Sequence, residues 1–373
     1  MKPRIAYIIS DLNYAVAYEW IAKGFFNSEI NIDFIFLSKR PPDLIPTIER
    51  VGFNCMHIEL SEGKLQHFIA FKQLYKILSN GNYQGVHCHL FKANLLGLTV
   101  AKLLGIKYRV YTRHHATFHH RYHPKGVLMD RFINSLSTDI IAISKNVEHI
   151  LLKEEVVSPK KVHYIPHGFD LGAFKEKDER KIDSILKRYG ISKEVFRIGI
   201  IGRFIKLKGH RYIIDAFKSL HAEDPNTHLI LANASGPDEH EIKLLLDSLK
   251  PASYTLINFE KDIFSLYHCF NAFVHVPIDE RIEAFGQTYV EALAAGVPSV
   301  FTLSGIAPEF IVDRENALVV PFKNSQSIHT ALKQLIEDED LKVKMIMQGK
   351  LDVKAFSLKR MLDSLKALYK AHM

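Results

Sequence analysis

Short apolar runs of three to six residues recur along this chain, separated by longer stretches whose apolar residues return with helical spacing. In the first half the runs fall at 5–9, 32–37, 85–88, 108–111, 140–143 and 162–165. Between them lie amphipathic stretches such as 65–78, with apolar Leu65, Phe68, Ile69, Leu74, Ile77 and Leu78. Alternation of this kind dictates βαβ units and a parallel sheet covered by helices on both faces. After a charged passage at 175–187, read as structureless, the series starts again at 196–201, 228–231, 254–257, 272–276, 299–302 and 318–320. Two such series predict an α/β protein of two doubly wound domains facing one another across a cleft. A length of 373 residues agrees, since it exceeds what one core usually supports. We expect a first domain over 1–170, a linker over 171–194, a second domain over 195–355, and a closing helix over 356–373 that packs back on the first. Ligands of open α/β sheets lie outside the carboxyl ends of the strands, so the residues after each run are where chemistry belongs.

Composition removes several classes. With 47% hydrophobic and 24% charged residues the chain is ordinary globular protein. No apolar run approaches the roughly 20 residues that span a bilayer. The opening segment starts like a secretory leader, but Asp11 interrupts its apolar run and no small-residue cleavage site follows. Cys55, Cys88 and Cys269 are odd in number and far apart, which argues against a disulfide framework and for a reducing, cytoplasmic setting. Most of the net charge of +8 lies in residues 1–170, and no acidic residue occurs between Glu62 and Asp130. One reading is a solvated basic surface. The other is a face for anionic lipid headgroups or a phosphate-bearing acceptor, each basic group near such a surface contributing about 1 kcal/mol. Nucleic acid fits less well, because the aromatic residues do not interleave with the basic ones as single-strand binders require.

The most informative stretch follows the run 272–276. There Glu283 and Glu291 stand eight apart around Phe285-Gly286-Gln287-Thr288. Gly286 can open a helix whose first amides, on Gln287 and Thr288, offer an anion site by geometry and dipole. Glu291, one turn inside that helix, can accept hydrogen bonds from vicinal hydroxyls, and Glu283 on the preceding loop can reach sugar hydroxyls. A second element follows the run 196–201, where Gly202-Arg203 and Lys208-Gly209 place two cations five apart in a strand-to-helix loop. Arginine offers a bidentate fork and lysine a compact charge, a pairing suited to two phosphates.

The stretch 283–298 closely resembles the E-x7-E signature of the family-4 retaining glycosyltransferases, which have the GT-B fold of two Rossmann-like domains. The resemblance covers most of the second domain and, more loosely, the later part of the first. It implies that Glu283 contacts the donor sugar, that Glu291 binds the nucleotide ribose, and that Arg203 and Lys208 neutralise the diphosphate leaving group. Tyr164 to Phe174, with His167-Gly168-Phe169-Asp170, resembles the family's turn before the linker, His167 replacing the usual Asn; we read it as a structural turn. The family often carries Thr-x-His after a first-domain strand, and His114 falls on that position, so the resemblance makes it a donor-sugar contact. His89, also at a strand end, is a candidate for the acceptor side.

The run His114 to His123 holds five histidines and raises the question of a metal, with His119 and His123 one helical turn apart. Sites of this type usually include a carboxylate or a cysteine, and the sequence places none nearby, so no metal is expected there. The family's first strand leads into a glycine-rich loop, whereas residues 11–17 here contain no glycine. Asn13 tolerates left-handed backbone and is expected to substitute in part.

The expected chemistry is metal-independent transfer of a sugar, with retention, from a nucleotide diphosphate (UDP or GDP) to a lipid-linked or carbohydrate acceptor in surface polysaccharide or glycolipid assembly. It needs no cofactor and belongs at the inner face of an anionic membrane. The only Asp-x-Asp, at 338–340, lies in a charged helical stretch and is read as surface. Two alternatives stay open. A nucleotide-sugar epimerase would isomerise the donor without an acceptor, and a non-catalytic partner would bind the donor and turn nothing over.

Overall fold

In the computed structural model, which describes residues 2–372, the chain divides into two compact units. The first runs to Phe169 and regains the chain from Leu358 onward; the second is Asp170–Ser357.

The first unit is built on seven parallel strands: β1 Arg4–Ser10, β2 Asn31–Ser38, β3 Cys55–Glu59, β4 Gly85–His89, β5 Tyr108–Arg113, β6 Asp139–Ala142 and β7 Val162–Tyr164. Their spatial order is β3-β2-β1-β4-β5-β6-β7, so the winding reverses between β1 and β4. Strands β1, β2 and β4 are buried almost throughout, which is why their sequences read as continuous apolar runs. The edge strand β3 has no counterpart among the expected runs. Its residues Cys55 to His57 are half-buried and mixed in polarity, so they lack the signal of a central strand. The closing helix Leu358–Lys370 joins this unit, with Tyr369 fully buried and Lys366 Nζ donating to the Gly24 carbonyl at 2.8 Å.

The second unit has six parallel strands: β8 Phe196–Ile201, β9 Thr227–Ala232, β10 Tyr254–Ile257, β11 Ala272–His275, β12 Ser299–Phe301 and β13 Leu318–Val319. They run in the order β10-β9-β8-β11-β12-β13, with the reversal between β8 and β11. Its core gathers Ile198, Leu229, Val274 and Val300 from the sheet with Ile213, Phe217 and Leu332 from flanking helices.

The passage 175–187 is not structureless. Residues Glu179–Arg188 form a helix that Asp178 caps, its carboxylate accepting from the amides of Arg180 and Lys181. Ile182, Ile185 and Leu186 bury one stripe of it. That stripe is three residues wide in a run dominated by charge, and the charge masked the helical spacing.

Candidate functional site

The reversal between β8 and β11 leaves a crevice outside the carboxyl ends of those strands, the usual ligand position in such sheets. Two loops border it, 202–209 after β8 and 276–286 after β11. They are tied together at backbone level: Ile278 N–H donates to the Leu207 carbonyl at 3.1 Å. Gly209 has φ +76°, and a Cβ there would lie 2.1 Å from the Val276 carbonyl oxygen. Only glycine lets the loops come this close.

Across this join Lys208 Nζ donates to Glu283 Oε1 at 2.6 Å. The pair is largely shielded, the side chains being 26% and 13% exposed, so it is held more firmly than a surface ion pair. His275, at the end of β11, brings Nε2 to 3.7 Å from the same carboxylate. Burial, and then the Lys208 charge, hold the His275 imidazole well below its ordinary range, so it faces Glu283 neutral. The Glu283 amide donates to Ser304 Oγ at 3.3 Å, and Ser304 Oγ donates to the Asp279 carbonyl at 2.7 Å. Arg203 is exposed and makes no side-chain hydrogen bond or ion pair among the described residues. Gly202 closes the strand, its amide donating to the Ala232 carbonyl at 3.1 Å.

Gly286 caps the helix Gln287–Ala295 in left-handed geometry, φ +86°. Gln287 is exposed, and the Thr288 hydroxyl is buried without a hydrogen-bond partner. An unused hydroxyl among first-turn amides suits an incoming anion. Phe285 points inward and packs edge-on against Phe356, so its side chain anchors the loop while its carbonyl accepts from Ile306 N–H at 2.9 Å. Glu291 accepts from the Tyr267 hydroxyl at 2.7 Å. Burial pushes its carboxyl up to about 7, the Tyr267 hydrogen bond opposing the shift, even though one edge of the residue stays partly exposed.

In the first unit the histidines converge at the ends of β4 and β5. His89 Nδ1 and His114 Nε2 are 3.0 Å apart, and His167 stacks on His114 with ring centroids 5.5 Å apart. Burial keeps His89 and His114 well below the usual imidazole range and holds His167 down to about 4, so the group is neutral at physiological pH. His167, read as part of a turn, thus also packs against His114. Asn13 does not take left-handed backbone; Asp11 does, with φ +50°. The Asn13 side chain is instead held by Asp43, donating to its carboxylate at 2.9 Å and accepting from its amide at 3.2 Å.

The expectation that no carboxylate stands near the histidine run is overturned. Asp130, on the helix Pro124–Leu136, lies 2.7 Å from His119 Nδ1 and 3.1 Å from His115 Nε2. It lies well beyond the run in sequence, which hid it. Reading the sequence also missed His275, Tyr267 and Ser304. A histidine ending a central apolar strand is a usable signal; the other two become visible only through their contacts.

A family model described as "Glycosyl transferases group 1" matches residues 181–352, and a second, "Glycosyltransferase Family 4", matches 31–173. The chain is 27% identical over 250 residues to the capsular polysaccharide biosynthesis glycosyltransferase CapM of Staphylococcus aureus. That match covers 65% of this chain and spans 64% of CapM, a little under two thirds of its length. It is 22% identical over 303 residues to the UDP-Gal:alpha-D-GlcNAc-diphosphoundecaprenol alpha-1,3-galactosyltransferase of Escherichia coli, covering 79% of this chain and 77% of the relative. Among solved structures, Anabaena HepE in complex with UDP-glucose superposes with a TM-score of 0.84 at 16% identity, covering 98% of this chain and 99% of that one. This likeness shows the fold, GT-B with two Rossmann-like units.

Proposed function

Because the chain belongs to the glycosyl transferases of group 1 and family 4, we propose that it moves a sugar from a nucleotide diphosphate to an acceptor hydroxyl, with retention at the anomeric carbon. The observation that carries this reading is the Lys208–Glu283 pair at 2.6 Å beside the Gly286-led helix start. One end of the pair suits a phosphate and the other a sugar hydroxyl. When the donor enters, Lys208 turns from carboxylate to diphosphate, and Glu283 exchanges an ammonium for hydroxyl donors. Arg203 adds a second cation, and the amides of Gln287 and Thr288 a third contact to developing negative charge. Gly202 and Gly286 keep the backbone low around that charge. Glu291, backed by Tyr267, takes the ribose hydroxyls. His114, steadied by His89, contacts the transferred sugar, while Asn13 shapes the loop on the acceptor side.

The transition state is dissociative, with positive charge on the sugar and negative charge on the departing diphosphate. Fixed cations and amides are enough to hold that leaving group, so transfer proceeds without a metal ion. A UDP-sugar donor is supported by HepE, whose structures hold UDP and UDP-glucose. A lipid-linked acceptor, met at an anionic membrane, is supported by the substrate in the name of the Escherichia coli relative and by the basic first unit. No helix of the described residues is long and apolar enough to cross a membrane.

A thermal-shift screen against UDP, GDP, ADP and their sugars tests the donor assignment. A ligand at 100 times its Kd adds about 2.7 kcal/mol of stability, so the true donor stands out. If no nucleotide sugar shifts the transition, or if the shift survives Arg203→Ala combined with Lys208→Ala, the reading fails.

A further inference from the structure

We propose that His115, His119 and Asp130 form a binding site for a divalent transition-metal ion of the Zn²⁺ class, which pins the segment after β5 to the helix Pro124–Leu136. The donor atoms, two imidazole nitrogens and a carboxylate oxygen, all lie within 4.8 Å of one another. Nitrogen donors select zinc-like ions over Mg²⁺ or Ca²⁺, and three protein ligands leave a further position open to water. His115 Nε2 and His119 Nδ1 stand 3.1 and 2.7 Å from Asp130 Oδ2. Donors about 2.0–2.2 Å from a tetrahedral ion sit about 3.3–3.6 Å from each other, so each histidine need move from the carboxylate by less than about 1 Å.

Four features support the set. Asp130 is fully buried and fixed by Arg113, whose Nη2 lies 3.0 Å from the same Oδ2 that faces the histidines, the kind of outer partner that ligating groups carry. Arg113 also pairs with the fully buried Glu155 at 2.6 Å, so among these three residues two negative charges meet one fixed positive charge. The histidines are 25% and 18% exposed, which gives an ion a way in. Gly126 makes the close fit: a Cβ there would lie 2.8 Å from the His119 ring. The inference is independent of the donor reading, since it concerns ligands in the first unit alone. On binding, each imidazole presents its lone pair to the ion, and any proton left over is released to solvent.

The full chain, stripped by chelator, is titrated with Zn²⁺ by calorimetry and with Co²⁺ by visible absorption. Wild type binds one equivalent, and Co²⁺ gains the intense visible bands of a four-coordinate site. His119→Gln and His115→Gln each lose that equivalent and those bands while keeping the wild-type far-UV circular dichroism. His123→Gln keeps both, although reading the sequence alone pairs His123 with His119. Absence of stoichiometric binding by the wild type, its retention in either ligand variant, or its loss in His123→Gln overturns the proposal.

Discussion

Glu291 carries its own pH signature. Its native carboxyl sits at about 7, raised by burial, against roughly 4.3 in an unfolded chain. Between those values the native state holds a proton that the unfolded state has lost, so stability falls as pH rises through this window and levels off above it. The drop is about 1–3 kcal/mol, below the ceiling set by the shift because one edge of the residue meets solvent. Urea denaturation at pH 5 and pH 8 should show this loss in wild type and not in Glu291→Gln, which stays neutral throughout. Equal pH dependence in both proteins removes the assignment. The two cations separate in a different way. Arg203→Ala and Lys208→Ala should each lower kcat/KM by about 10²–10³, as loss of one such donor typically does. Only Lys208→Ala should also lower stability, by about 1–2 kcal/mol, because it alone breaks a shielded, charge-assisted hydrogen bond. Steady-state kinetics and melting curves on the two variants decide whether Arg203 acts on the ligand alone.

The loop after β8 works because of a glycine. Gly209→Ala must strain a left-handed backbone and push a methyl group onto the Val276 carbonyl, at a cost of about 1–3 kcal/mol for the backbone strain alone. We expect a lower melting temperature and weaker binding of UDP-sugar, measured by calorimetry, because Lys208 and Glu283 rely on this join for their spacing; unchanged binding would detach the loop from the site. Sequence carried the elements of this region well. Gly202, Arg203, Lys208, Gly286 and both glutamates follow central strands whose buried carboxyl ends make them plain apolar runs, and local spacing then sets the geometry. What was illegible has a common cause. Edge strand β3 and the helix Glu179–Arg188 bury only a few side chains each, so their patterns are faint. Asp130, Tyr267 and Ser304 reach their partners from other elements, and no local spacing encodes that. Asn13 was misplaced because tolerance of left-handed backbone is a permission; Asp43 holds its side chain without that geometry, and Asp11 took the positive φ.

Charge is divided unevenly over the whole molecule, and the division bears on where it works. Nearly all of the net +8 belongs to the first 170 residues. Within them the helix Lys64–Asn80 buries Ala70, Leu74 and Leu78 and turns Leu65, Phe68 and Ile69 outward, with Lys72 Nζ 4.5 Å from the Phe68 ring. Apolar and basic groups on one exposed stripe, with no acid among them, match the face that lies in the interface of an anionic bilayer. Vesicle co-sedimentation should therefore rise with the fraction of anionic lipid and fall as added salt shortens the screening length from about 10 Å at 0.1 M to about 3 Å at 1 M. Phe68→Ser with Lys72→Glu should weaken it, while the thermal shift given by the nucleotide sugar stays as in wild type, because this helix supplies none of the residues assigned to that ligand. Binding that ignores lipid charge, or a variant that sediments like wild type, would return this surface to ordinary solvated charge and leave the acceptor to be sought among soluble carbohydrates.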